Sequence, residues 1–255
     1  REALQKDERP RFVYLLPNFQ NPTGRTQDDA RREAIVAVCR EHNLPIVEDN
    51  PYGELWFDAP PPAPLLFDKL SIKLLPGVTW VRGDESSGKT TLLRLLAGAL
   101  TGAAPDANLQ VNGIPLAESR PAYLQQIAWL DSRDTALDNH TARQIFKDFP
   151  ANHPRFDADA LQAHIEGLSL TPHLDKALYM LSSGTRRKVL MAAVLASGAA
   201  VTLLDQPFMA LDRPSIDYLL QVLQRASRSP DRACVLADYE APEGVTLAGV
   251  VALGG

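Results

Sequence analysis

The sequence has little of what marks several large protein classes. Its two cysteines, Cys39 and Cys234, are too few for a disulfide scaffold and suit a reducing compartment. It has no excess of positive charge: 26 Lys and Arg stand against 31 Asp and Glu, a net charge of -5. That balance argues against a protein that holds nucleic acid chiefly by neutralising phosphates. Long hydrophobic runs are missing too. The most apolar stretch, Val189 to Leu204, is interrupted by Ser197, Gly198 and Thr202 and falls short of the roughly 20 residues a spanning helix needs. It lies mid-chain without the flanks of a signal peptide, and reads as a buried helix, a break at Ser197-Gly198 and a buried strand. Work at a membrane would therefore need membrane-spanning partners. There is no initiating methionine; the chain opens on Arg1. What remains is 255 residues, 45% hydrophobic and 22% charged, an ordinary globular composition ample for one large domain or two small ones. Against that average stand 20 prolines, several of them crowded together.

The crowding is densest at Ala59-Pro60-Pro61-Pro62-Ala63-Pro64. Consecutive prolines lack amide donors and fix φ, so the run is extended and cannot join a helix or a central strand. A boundary is expected here: residues 1–59 on one side, a junction over 60–65, and 66–255 on the other. Upstream, Arg11 to Leu16 reads as a strand, Asn21-Pro22-Thr23-Gly24 as a turn, and Gln27 to His42 as a helix from its apolar spacing. Pro45-Ile46-Val47 begins a second strand, giving β-α-β. Downstream, strands are expected at Val78–Val81, Ile127–Leu130, Val201–Leu204, Ala233–Ala237 and Val250–Leu253. A helix is expected over Thr91–Leu100, and a helix-rich stretch over about 133–197. Alternation of this kind argues for an α/β fold around a mostly parallel sheet.

Gly83-Asp84-Glu85-Ser86-Ser87-Gly88-Lys89-Thr90 follows the first of these downstream strands and opens a helix. Its glycines permit a tight turn whose successive amides can face a phosphate, aided by the helix N-terminus. Lys89 brings a charge to the β and γ phosphates, and Thr90 a hydroxyl for Mg²⁺. Gly83, Ser86, Ser87, Gly88, Lys89, Thr90 and Thr91 are the candidate phosphate ligands. The apolar run Val201-Thr202-Leu203-Leu204 ends in Asp205, which would sit at the sheet edge and help to orient the same metal. About twenty residues earlier, Leu181-Ser182-Ser183-Gly184-Thr185 starts a helix. Ser182, Ser183 and Gly184 could offer hydroxyls and amides to an anion, or could be an ordinary helix cap.

With these residues the chain from about Leu66 to Gly255 resembles the ATP-binding cassette (ABC) family. The resemblance rests on the phosphate loop, the Leu181–Thr185 signature, the Asp205 strand, Pro207-Phe208 and the Ala210-Leu211-Asp212 loop. It implies a P-loop NTPase three-layer cassette with a helical subdomain, binding ATP and Mg²⁺. Two cassettes, identical or different, would pair head to tail, each signature covering the other's nucleotide. They would drive transmembrane permease subunits from the cytoplasmic, inner face of the membrane. The Pro207-Phe208-x-Ala-Leu-Asp wording is similar to small exporter subunits of the haem-export type. Nucleic acid is not an expected partner.

The sequence departs from the family where turnover is set. The residue after Asp205 is Gln206 in place of the usual Glu, and an amide is a far poorer proton acceptor than a carboxylate. The expected histidine falls at Tyr239, which can donate a hydrogen bond but cannot take an imidazolium charge. The expected glutamine falls near Ser132, since Gln125 and Gln126 precede the strand and would lie at its opposite end. The adenine-stacking aromatic would lie upstream of Phe67, among the prolines, with Phe57 as a stand-in. ATP binding with slow or absent hydrolysis is the expectation.

Phe19-Gln20-Asn21-Pro22-Thr23-Gly24 and Glu48-Asp49-Asn50-Pro51-Tyr52 resemble the class I/II aminotransferases that use pyridoxal phosphate. The resemblance implies a βαβ fragment of that fold over about residues 11–58, with Asn21 and Tyr52 at the cofactor's phenolic oxygen. Asp49 would pair with its pyridine nitrogen. The family's lysine and most of its cofactor domain are missing, so cofactor binding and transamination are not expected. The fragment is expected to reflect either a gene fusion or a joined, incomplete reading frame, and the absent methionine favours the second. The readings to separate are an ABC-type ATPase subunit, a non-hydrolytic nucleotide-binding regulatory module, and a truncated, inactive aminotransferase.

Overall fold

The computed structural model describes residues 13–15, 29–42, 44–48, 70–100 and 107–253. The chain divides into two compact units between Leu65 and Leu66. In the first, β1 (Val13–Leu15) pairs in parallel with β2 (Ile46–Glu48), Val13 opposite Ile46, and α1 (Asp29–Glu41) connects them. Cys39 of α1 is buried and its carbonyl accepts the Leu44 amide at 2.8 Å, turning the chain back into β2. The expected β-α-β is thus present. Asn21, Asp49, Tyr52, Phe57 and the proline run lie outside the described residues.

The second unit is built on β3 (Gly77–Arg82), followed by α2 (Lys89–Leu96) and a short antiparallel hairpin, β4 (Gln110–Val111) with β5 (Ile114–Pro115). Then come α3 (Arg120–Leu124), β6 (Ile127–Ala128), α4 (Ala142–Asp148), α5 (Ala158–Gly167) and α6 (Ser183–Leu195). The unit closes with β7 (Val201–Asp205), α7 (Arg213–Ala226), β8 (Ala233–Ala237) and β9 (Leu247–Ala252). Five strands form one parallel sheet in the order β6-β7-β8-β3-β9. Both faces of such a sheet must be covered, which explains why β8 is buried throughout.

Alternation along β8 sorts its side chains into two cores. Ala233, Val235 and Ala237 join Leu92 and Leu93 of α2 and Tyr123 of α3 on one face. Cys234 and Leu236 join Leu219 and Leu223 of α7, with Met191 and Val194 of α6, on the other. The result is a three-layer α/β unit. A third core lies among the helices, where Ile145 and Phe146 of α4 and Ile165 of α5 meet Val189 and Leu190 of α6. Helix α6 serves two cores at once, so its apolar residues do not segregate to one face. No helix among the described residues is long and apolar enough to cross a membrane.

Element boundaries differ from expectation in ways the packing explains. The helix read as Thr91–Leu100 begins at Lys89 and ends at Leu96, with Gly98 at φ 65° just beyond it. The strand read as Ile127–Leu130 holds only Ile127 and Ala128, the residues that pair with Val201 and Thr202. The strand read as Val250–Leu253 starts earlier, at Leu247, because its pairing with β3 begins at Val78.

His164 of α5 gives the fold a measurable pH dependence. Burial pushes its pKa down to about 4, helped by the nearby Arg225 charge and opposed by Asp157. The unfolded chain takes up this proton near the ordinary 6.5, before the folded chain does. Its contribution is therefore full above pH 6.5 and is lost as pH falls towards 4, in total about 3 kcal/mol at 1.36 per pKa unit. Urea midpoints between pH 7 and pH 4 should show that fall, and His164→Gln should flatten it.

Candidate functional site

Strand β3 delivers the chain into a loop over 83–88 that closes on α2. Two residues in this short turn take left-handed conformations, Ser86 at φ 61° and Gly88 at φ 92°. At Gly83 a Cβ would lie 2.3 Å from Ser87 Oγ and 2.8 Å from the Leu253 carbonyl, so only glycine fits. A tight turn with left-handed residues is the backbone setting in which successive amides can converge on an anion. Lys89, 6% exposed, is held above it: Nζ donates to the Gly83 carbonyl at 2.5 Å and to the Asp84 carbonyl at 2.8 Å. The Ser87 hydroxyl is buried in the loop without a hydrogen-bond partner.

The Tyr239 ring covers the lysine, its centroid 4.1 Å from Nζ. A cation over a ring face is attracted by about 0.5–1 kcal/mol at an exposed site, and Tyr239 is half-exposed. The Tyr239 side chain thus engages through its ring, whereas the sequence suggested the hydroxyl as a donor to phosphate.

Asp205 ends β7 beside α2. Its Oδ2 accepts the Thr90 hydroxyl at 2.8 Å, while Oδ1 is buried with no partner. Burial raises the Asp205 pKa, and the Thr90 hydrogen bond partly offsets that rise. A buried carboxylate with one orphaned oxygen, next to a hydroxyl, fits Mg²⁺, a hard cation that usually takes few protein oxygens and completes its shell with phosphates and water. No group of three or more His, Cys, Asp or Glu suited to a metal occurs among the described residues, so a cage built from protein alone is not on offer there.

Gln206 follows at φ 44°, its amide bonded to the Ala237 carbonyl at 2.8 Å. A non-glycine residue in this region is uncommon, and such strain gathers at functional sites. Ser132 reaches the neighbourhood through its backbone: its carbonyl accepts from Arg186 Nε at 3.1 Å. The side chain that engages at this point of the chain is Asp131, paired with Arg94 of α2 at 2.7 Å. Gln125 and Gln126 lie at the opposite end of β6, where the Gln126 carbonyl accepts the Val201 amide.

Ser182 caps α6, its hydroxyl oxygen accepting the Thr185 amide at 3.2 Å. Gly184 in the first turn packs against the loop after β7, where a Cβ would sit 2.2 Å from the Ala210 carbonyl. Lys188 and Asp212 tie the same helix and loop together at 2.7 Å, and this pairing draws the Asp212 pKa down to about 2. A methyl at 184 must displace backbone. Gly184→Ala should therefore lower stability by about 1–3 kcal/mol, read as an earlier urea midpoint, while Gly249→Ala, whose Cβ would meet only the Thr79 side chain at 3.4 Å, should change little.

Two further polar residues at this edge, besides Asp131, were not singled out from sequence. Asp238, one residue past β8, has a pKa raised by burial and by the neighbouring Asp205, and its Oδ1 accepts the Tyr239 amide at 2.8 Å. Arg187 of α6 lies within electrostatic reach of both carboxylates, its Nε buried without a partner. The signal for Asp238 was the one that identified Asp205, an apolar strand ending in Asp.

Comparison with known proteins agrees with this geometry. The profile of a family described as ABC transporter matches residues 67–209. The cytochrome c biogenesis ATP-binding export protein CcmA of Pseudomonas fluorescens is 31% identical over 156 residues, covering 61% of this chain and 73% of that protein. A solved structure titled "Structure of ATP binding subunit of ABC transporter" superposes with a TM-score of 0.58 at 18% identity, over 65% of this chain and 69% of the other, a likeness of fold. A separate 54-residue match, 43% identical, is to an uncharacterized HTH-type transcriptional regulator, YisV, of Bacillus subtilis, of which it covers only 11%. The aminotransferase resemblance, and with it pyridoxal phosphate, draws no support from these matches.

Proposed function

The chain belongs to the ABC transporter family, and on that premise we propose that it is an ATP-binding transporter subunit that holds Mg-ATP tightly and turns it over slowly. The observation that carries the binding half is the Lys89, Thr90 and Asp205 constellation, with its orphaned Asp205 oxygen. Lys89 exchanges its two carbonyl partners for phosphate oxygens, and the loop amides take the rest of the β-phosphate. Thr90 and Asp205 would hold Mg²⁺, which supplies charge neutralisation between the phosphates when bound. The second half rests on Gln206 and Tyr239. Neither can accept a proton from water near neutral pH, so the step that activates the nucleophile lacks its base.

Pairing follows from the same parts. Ser182, Ser183 and Gly184 at the start of α6 would face the nucleotide of a second cassette, identical or different. Transmembrane subunits would bind the assembly at the membrane's cytoplasmic face. The CcmA relative is named for export in cytochrome c biogenesis, and export is the transport direction we carry over.

A second reading, a non-hydrolytic module in which ATP only clamps a dimer, is favoured by the same Gln206 and Tyr239. Sedimentation of the full chain with and without Mg-ATP, beside phosphate release from the same sample, tests both. ATP-dependent pairing with slow but finite release supports the transporter subunit. Pairing with no release supports the clamp, and no pairing contradicts both.

A further inference from the structure

The nucleotide parts gather where the parallel strands end. At the opposite edge, where β7 and β8 begin, lies a cleft of about 300 Å³. Thr202 and Cys234 form its floor, and burial holds the Cys234 thiol uncharged with a pKa of about 12. Three arginines line it: Arg155 from the segment before α5, Arg225 from the last turn of α7, and Arg232 just before β8. Its one acidic residue, Asp157, already caps α5 by accepting the Ala160 amide at 2.9 Å.

All three arginines are exposed, Arg225 in the last turn of α7. Among the described residues none of the three forms an ion pair, and none donates a side-chain hydrogen bond to the carbonyl ends of α6 or α7. By contrast Arg94, Arg143, Arg186 and Arg213 are each matched to an aspartate. His164 completes the wall as a neutral ring. Tyr218 gives its hydroxyl proton to the Ala163 carbonyl at 3.0 Å, so His164 Nδ1, 2.9 Å away, donates to the Tyr218 oxygen.

A concave site with three guanidiniums that form no ion pair among the described residues, one engaged carboxylate and an apolar strip of Leu195, Val222 and Ala226 suits a small dianion with an apolar end. Guanidinium forks match phosphate oxygens two at a time, and three of them exceed the charge of a monocarboxylate. We propose that this cleft is a second binding site, separate from the nucleotide site, for a small phosphate monoester carrying a short hydrophobic group.

Phenyl phosphate is a suitable probe, followed by the ring resonances of His164 in the full chain and assigned by their loss in His164→Gln. The expected result is a saturable shift in the wild type. Binding should weaken at least tenfold in Arg155→Gln/Arg232→Gln, whose substitutions lie at the exposed rim, and persist in Lys89→Ala. No shift in the wild type would overturn the proposal without reliance on any variant. Equal affinity in the double variant, or loss in Lys89→Ala, would also overturn it. Failure of nucleotide binding at the phosphate loop would leave this test readable, because the probe is followed at the other edge of the sheet.

Discussion

Gln206→Glu is expected to raise the rate of phosphate release about 10²–10⁴-fold, the usual worth of a positioned general base. The two side chains are nearly isosteric, so the change adds a proton acceptor with little change of shape. The backbone at 206 is fixed independently of the side chain, by its amide bond to the Ala237 carbonyl and by pairing of Asp205 with Ala237. A carboxylate there joins two others already at this edge, Asp205 and Asp238, whose pKa values are both raised. It is expected to have a raised pKa as well, which favours a base working near neutral pH. Single-turnover phosphate release, compared between wild type and Gln206→Glu at saturating Mg-ATP, measures the effect. Equal rates would mean that Gln206 does not occupy the position of the missing base.

Lys89→Ala is expected to weaken Mg-ATP binding by at least about 30-fold. Removing one partner from a desolvated, hydrogen-bonded charge pair costs about 2–5 kcal/mol, or roughly 30- to several thousandfold in affinity. The lysine is buried and aimed at the loop by the Gly83 and Asp84 carbonyls. Those bonds and the Tyr239 ring compete with phosphate, which places the expected loss toward the lower part of that range. The loop itself should survive, because its shape is set by Gly83, Ser86 and Gly88 rather than by the lysine. Titration with a fluorescent ATP analogue and a circular dichroism spectrum of the same sample would separate lost binding from lost fold. Retained affinity would refute the assignment of the phosphate cradle.

How far the sequence reveals these features depends on the range of the interactions involved. The phosphate loop was legible because its chemistry is written in eight consecutive residues, and strands β7 and β8 because predominantly apolar runs are what a doubly covered parallel strand requires. Ser182 was legible as a helix cap for the same local reason. The Thr90–Asp205 contact could be anticipated only by joining two motifs 115 positions apart through the fold. The placement of Tyr239 over Lys89 could not, since nothing in either segment says which way the ring turns. Asp131 and Arg187 escaped notice because each acquires its role from partners on other elements, Arg94 for the one and Asp205 and Asp238 for the other. The short β6 escaped for a related reason: Trp129 and Leu130 are apolar enough for a strand, but β7 pairs only with the two residues before them.

The central claim is that binding and chemistry have separated in this cassette. It is tested most directly by steady-state phosphate release from the purified full chain at saturating Mg-ATP, run beside Gln206→Glu and Lys89→Ala. The account predicts a wild-type rate at least about a hundredfold below that of Gln206→Glu, from protein that binds the nucleotide. A wild-type rate equal to that of Gln206→Glu and lost in Lys89→Ala, which assigns the activity to this site, would contradict it.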